Sequence, residues 1–223
     1  MNKHIISGVV AGALVSLATV AQATPITTAA LTITNGDKTF SNFTCSIVTD
    51  PATNSGTTPF SCSGISVVAI TIGGLVGIEF QADISASTSR SSEDILITYS
   101  AATTAPFLFS DVHMVFNGTG TPRMSASAVT ETVFTDSSLA TVLGQIQVTN
   151  PPLVLTAATD LTSDVASIFV KKDIRVQSTA GDAVSDISFI DQTFSQVPEP
   201  GTLALFGIGL LGLGGALRWR KRA

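Results

Sequence analysis

Alternation of apolar residues with mostly polar ones runs through four stretches of this chain and limits the folds open to it. Val76, Ile78, Phe80, Ala82 and Ile84 alternate with Gly77, Glu79, Gln81 and Asp83. Ile95, Ile97 and Tyr99 form a second set, and Val112, Met114 and Phe116 a third. Ile168, Val170, Lys172, Ile174 and Val176 form a fourth, broken by one lysine. Side chains on a strand point to opposite faces in turn, so period two marks half-buried β-strands. Turn signals separate the stretches: Asn35-Gly36-Asp37, Asp50-Pro51, Asn54-Ser55-Gly56, Gly73-Gly74, Asn117-Gly118, Asn150-Pro151-Pro152 and Gly181-Asp182. Strands at this spacing, without runs of helix formers, predict an all-β domain, an antiparallel β-sandwich or jelly roll.

The two ends have a different character. Lys3 precedes an apolar run from about Ile5 to Val20, and Ala21-Gln22-Ala23 follows with small residues at the two positions a signal peptidase reads. That order predicts a signal peptide over 1–23, cleaved before Thr24. Near the C-terminus, Thr202 to Leu217 is an uncharged apolar stretch of 16 residues. As a helix it would cover ~24 Å against a hydrocarbon core of ~30 Å, short for a permanent span. Arg218, Arg220, Lys221 and Arg222 follow as a basic stop-transfer tail. The positive-inside rule puts that tail in the cytoplasm and the domain outside. The predicted order is therefore signal peptide 1–23, β-domain 24–191, linker 192–200, transmembrane helix 201–217 and tail 218–223. Pro198 and Pro200 cannot donate to a β-ladder, which favours a stiff, extended linker.

Between the ends, six basic residues face fifteen acidic ones, with no basic patch to hold nucleic acid. The two cysteines, Cys45 and Cys62, both fall in the exported part, where disulfides persist, and a bridge between them is expected. Phe43-Thr44-Cys45-Ser46 and Phe60-Ser61-Cys62-Ser63 then read as two strand edges joined by that bridge. Two cysteines and one histidine are too few soft ligands for zinc.

Catalytic chemistry finds little support. Nucleophilic hydrolysis needs a base beside the nucleophile, and His113 is the one histidine of the domain. Glu79 and Asp83 share a strand face, but their neighbours suggest a solvated one. Asp160 and Asp164 lack calcium-loop spacing. Gly73, Gly74 and Gly77 lie between two strands with no helix to follow, so they read as a hairpin and not a phosphate cradle. The expectation is a non-enzyme with no cofactor and no metal. Asn42-Phe43-Thr44 and Asn117-Gly118-Thr119 match the glycosylation sequon, a triplet that arises by chance in a Thr-rich chain.

The C-terminus resembles the PEP-CTERM family of sorting signals. The matching residues are Val197-Pro198-Glu199-Pro200-Gly201-Thr202, the apolar run Leu203 to Leu213, and Arg218-Trp219-Arg220-Lys221-Arg222. The resemblance implies recognition by an exosortase, a membrane cysteine protease-transpeptidase of Gram-negative bacteria that make exopolysaccharide. It also implies removal of the span and release or attachment at the cell surface. Val197, Pro198, Glu199 and Pro200 are then substrate residues. Signal peptidase and an exosortase are the expected processing partners, with exopolysaccharide as a further candidate. The expected function is a non-catalytic structural role at the surface or in the extracellular matrix. The alternative is a carbohydrate- or surface-binding module, which one Tyr and no Trp in the domain disfavour. Ice binding would want a regular threonine array, and the threonines here are irregular.

Overall fold

The computed structural model describes residues 22–48, 60–87, 91–179 and 183–198, together with Gly201 and Ile208. Residues 1–21, most of 199–223 and the residues between those segments lie outside it. So do the predicted signal-peptide run with Ala21, the residues Glu199 and Pro200, nearly all of the apolar span, and the basic tail. Among the described residues no helix is long and apolar enough to cross a membrane.

Among the described residues, twelve strands form two six-stranded antiparallel sheets. They are β1 (Thr24–Pro25), β2 (Ile33–Asn35), β3 (Lys38–Ile47), β4 (Ser66–Ile72), β5 (Leu75–Ala86) and β6 (Ser91–Thr103). The second half holds β7 (Phe107–Phe116), β8 (Ser125–Phe134), β9 (Val142–Asn150), β10 (Thr156–Val165), β11 (Ser167–Ser178) and β12 (Ser185–Pro198). One sheet has the order β1-β4-β5-β12-β7-β10, the other β2-β3-β6-β11-β8-β9.

The last eight strands follow a simple rule. β5 pairs with β12, β6 with β11, β7 with β10 and β8 with β9, as in one long hairpin. That hairpin is then rolled so that β12 also meets β7 and β11 also meets β8. This is jelly-roll order, and it decides between the two architectures the sequence left open. The first four strands widen each sheet at one edge. The roll places β11 and β12 in the middle of their sheets, so their inward side chains lie deepest.

The alternating sets keep the faces expected of them. Ile78, Phe80, Ile84, Ile95, Ile97, Tyr99, Val112, Met114 and Phe116 are all buried between the sheets. Each large apolar side chain so buried contributes roughly 1.5–3 kcal/mol. Lys172 does not turn away from this face: it is 0% exposed, in line with Val170 and Ile174.

Gly73 and Gly74 form the two-residue β4–β5 turn, with Ile72 opposite Leu75 and φ of 59° and 87°. Such a turn needs left-handed backbone at both positions, which glycine adopts without a Cβ penalty. Gly77 differs from the hairpin reading made of it. It sits inside β5 opposite Thr193, and a Cβ there would lie 1.8 Å from the Gln192 carbonyl oxygen. That neighbour is backbone of a central strand, so it yields only if β5 and β12 part. Gly77→Ala should therefore destabilise by roughly 1–3 kcal/mol or more, read as a lower urea midpoint.

Two local expectations change. Residues 192–198 of the expected linker are strand: β12 continues through Pro198, with Val197 opposite Leu108 and Pro198 opposite Phe107. Gln192, Thr193 and Phe194 are buried there, so the polar composition misled: these side chains find partners inside the fold. The second cysteine segment is not a strand edge either. Cys45 lies in β3, while Cys62 opens a 3-10 turn, Cys62–Gly64, capped by the Ser61 hydroxyl. The expected disulfide joins them, with Cα atoms 5.9 Å apart.

Candidate functional site

The sorting segment leaves the fold from β12. Gln196 shifts the β12–β7 register by a bulge after Ser195, and its side-chain oxygen accepts a hydrogen bond from Lys38 Nζ. Lys38 is itself buried, 3.2 Å from Asp37 Oδ1 and 5.9 Å from the centre of the Phe109 ring. Burial alone would raise the Asp37 pKa, but the Thr103 hydroxyl and the Lys38 ammonium outweigh it and hold the carboxyl below its ordinary range. Asp37 is thus a carboxylate, and Lys38 clamps the end of β12 to β3 across the sandwich. Val197 and Pro198 follow at once, so no spacer separates the fold from the motif.

The fold also gathers a serine, a histidine and an aspartate. On the outer face of the first sheet, His113 Nε2 lies 2.8 Å from Asp111 Oδ1 and 3.3 Å from Ser195 Oγ. Triad chemistry needs the acid on one ring nitrogen and the nucleophile on the other. Here both partners share Nε2, and Asp111 Oδ1 also accepts the Ser195 backbone N–H at 3.0 Å. The arrangement ties β7 to β12. Sequence reasoning named His113 but joined it neither to Asp111, on the same face of β7, nor to Ser195, 82 residues away.

Glu79 and Asp83 do lie on one strand, but each has a carboxyl partner on β12 and not the other. Asp191 stands opposite Glu79. Burial, then the hydrogen bond and charge of Glu79, push Asp191 up to about 7. Asp186 is raised by burial and by Asp83 in the same way. Because the folded-state pKa of Asp191 exceeds its ordinary 3.8, the folded domain binds more protons than the unfolded chain between these values. Its contribution to stability is full below about pH 4 and lost as pH rises to about 7. Asp191→Asn should thus raise the melting temperature at pH 8 and leave it nearly unchanged at pH 4, as read by calorimetry. Among the described residues no group of three or more His, Cys, Asp or Glu is arranged to hold a metal.

Both sequon asparagines are accounted for. Asn117 is engaged, its Oδ1 accepting the backbone N–H groups of Ser188 and Phe189 at 3.0 Å each. Asn42 is exposed at a β-bulge with φ of 56°.

The deepest polar cluster lies between the sheets. Lys172 on β11 donates to Glu131 Oε2 on the neighbouring β8 and, at 2.9 Å, to Gln192 Oε1 on β12. It also lies 3.3 Å from Met114 Sδ and 5.8 Å from the centre of the Phe80 ring. Lys172, Glu131 and Gln192 are each 0% exposed. Gln192 Nε2 donates to the His113 carbonyl oxygen at 2.9 Å, which fixes the carboxamide. Glu131 Oε1 and the Tyr99 hydroxyl have no hydrogen-bond partner among the described residues. Burial lowers Lys172 and raises Glu131, each opposed by the other's charge. Of this cluster the sequence showed one sign, the lysine that interrupts an apolar alternation.

Among the described residues, two concavities lie near the added strands; one of about 290 Å³ has the half-buried Phe43 in its wall. A groove of about 380 Å³ between the edges of the two sheets is lined by Thr24, Thr32, Thr34, Asn35, Ile70 and Thr71 among others. The single tyrosine, Tyr99, is fully buried and offers no sugar platform.

Comparison with known proteins adds the following. No curated protein matches the chain. Among solved structures, TmCBM61 in complex with β-1,4-galactotriose is similar at 9% identity and a TM-score of 0.31, over 68% of this chain and 88% of that one. The enzymatically active domain of bacteriophage CBA120 tailspike protein 4 is similar at 12% identity and a TM-score of 0.31. That match covers 69% of this chain and 19% of the tailspike chain. Neither likeness bears on ligand or activity. The family model of the PEP-CTERM protein-sorting motif matches residues 196–222, beginning at the glutamine that Lys38 holds. The chain carries the PEP-CTERM signal, the C-terminal signal of exosortase substrates.

Proposed function

We propose that this chain is an exported structural protein of the cell surface or extracellular matrix, delivered by an exosortase-type membrane protease and associated with exopolysaccharide. The observation that carries this reading is the direct junction between a jelly roll and a sorting signal, with β12 paired up to Pro198 and the motif match starting at Gln196. The Ser-His-Asp grouping of the described residues shares a single ring nitrogen, a geometry that does not support triad chemistry. On this reading the domain is cargo. Its role is to persist outside the cell, and the apolar segment is a handle that holds the chain in the membrane until it is cut.

The test follows a tagged copy in a host that has an exosortase and in the same host lacking it. The expected result is a shortened form outside the inner membrane in the first and a full-length, membrane-bound form in the second. Replacing Pro198, Glu199 and Pro200 together by alanine should reproduce the second outcome in the competent host. Equal processing in both hosts would refute the reading.

A further inference from the structure

The Lys172 cluster has the composition and geometry of a reacting group, not only of an ion pair. An amine, a carboxamide and a carboxyl group meet between the sheets, each 0% exposed and contributed by a different strand. The lysine nitrogen touches both of the others, through Gln192 Oε1 at 2.9 Å and through Glu131 Oε2. Lys172 and Glu131 are directly opposed in register, which fixes their approach along the β8–β11 pair. Gln192 enters from the opposite sheet, with its amide plane held by the His113 carbonyl. Glu131 keeps one carboxyl oxygen free of any partner among the described residues. We propose that Lys172 and Gln192 join spontaneously in an intramolecular isopeptide bond, with Glu131 as the proton carrier, so that the two sheets become covalently linked.

The step balances without a cofactor or oxidant. Lys172 Nζ, as the neutral amine, attacks Gln192 Cδ and forms the new C–N bond. Glu131 as the acid gives its proton to Nε2, the Cδ–Nε2 bond breaks, and ammonia leaves. The Glu131 carboxylate then takes the surplus proton from Nζ and is restored. Burial favours the neutral amine and the neutral acid that this sequence starts from. Fixed proximity supplies the rest: well-oriented intramolecular groups react as if at effective concentrations of about 10⁵–10⁸ M. The paired arrangement at Lys38 lacks these conditions. Its carboxyl, Asp37, is held ionised, and Asp37 is only partly buried, so Lys38 and Gln196 should stay unlinked.

The bond gives a sharp chemical signature. The chain, purified and reduced, should be lighter by one ammonia than the sequence between its mapped termini. Trypsin should release the segment 172–175 attached to the peptide that carries Gln192, since an acylated Lys172 is no longer a cleavage site. Lys172→Met should show the unshifted mass, and Glu131→Gln should show a bond that forms more slowly or not at all. An unshifted wild-type mass with free Lys172 would overturn the proposal. So would loss of one water with Lys172 attached to the Glu131 peptide, which moves the bond to another acceptor. A Glu131→Gln chain linked as fast as wild type would refute the proton-carrier role. These readings use the chain alone, so they do not depend on how it is sorted.

Discussion

Measured against wild type before the Lys172–Gln192 bond has formed, Glu131→Leu should destabilise the jelly roll by about 3–5 kcal/mol, the range expected when one partner of a buried ion pair is removed. Glu131 and Lys172 are both 0% exposed, so no water replaces the lost carboxylate. Lys172 Nζ is left with the Gln192 oxygen at 2.9 Å and the Met114 sulfur at 3.3 Å. Lys172→Met alone should cost a similar amount, because it strands a carboxyl group that already has one unpartnered oxygen. The double variant Lys172→Met/Glu131→Leu removes both charges at nearly constant volume. It should recover most of the loss, apart from roughly 1–3 kcal/mol for the Gln192 oxygen left without a donor. Urea denaturation of the four proteins closes the cycle. If the double variant is as unstable as the sum of the singles, the two side chains do not act as a pair. The same cluster meets the inner faces of β5, β7, β8, β11 and β12, so its loss should lower the unfolding midpoint of the whole domain and not of one hairpin.

Loss of the disulfide should be the second large effect. Cys45→Ser/Cys62→Ser opens a bridge with a sequence separation of 17, for which loop-closure entropy gives about 3 kcal/mol. The destabilisation should appear in the oxidised wild type versus variant comparison and vanish when both are measured under reducing conditions. A persistent gap under reduction would assign the effect to the serine hydroxyls and not to the bridge. The position explains why this region needs a covalent tie. Cys45 lies on β3, which adds to the edge of the β6-β11-β8-β9 core, and only the short β2 covers its other side. Cys62 leads into β4, which adds to the edge of the other sheet. The bridge therefore fastens the two added edges to each other, where fewer neighbours hold them than hold the central strands.

Much of the fold is legible in short windows. Tyr99, Met114 and Val170 face inward because alternation along a strand is a local property. The Gly73-Gly74 turn is legible for the same reason: two left-handed residues between apolar runs close a hairpin wherever it lies. The sorting motif is legible because it is a contiguous run of residues, so its meaning lies in the residue order itself. The β12 boundary was not legible. Gln192 and Gln196 look like linker residues until their partners, Lys172 and Lys38, are known, and these lie 20 and 158 residues away. The candidate sites divide in the same way. Lys172 announced itself as a break in an apolar set, whereas Glu131, Ser195 and Asp191 had no local sign.

The sequence by itself determined the class of structure, the inward face of the four alternating strands, the cysteine pair and the sorting signal. Each depends on periodicity, turn chemistry or a contiguous motif. Only the tertiary structure decided the strand order β5-β12-β7-β10 and β6-β11-β8-β9, which places β11 and β12 at the centre. It alone showed that Lys172 remains inside. Whether a charged side chain can stay on a buried face depends on what the opposing sheet presents, and here that is Gln192, on a strand that periodicity cannot pair.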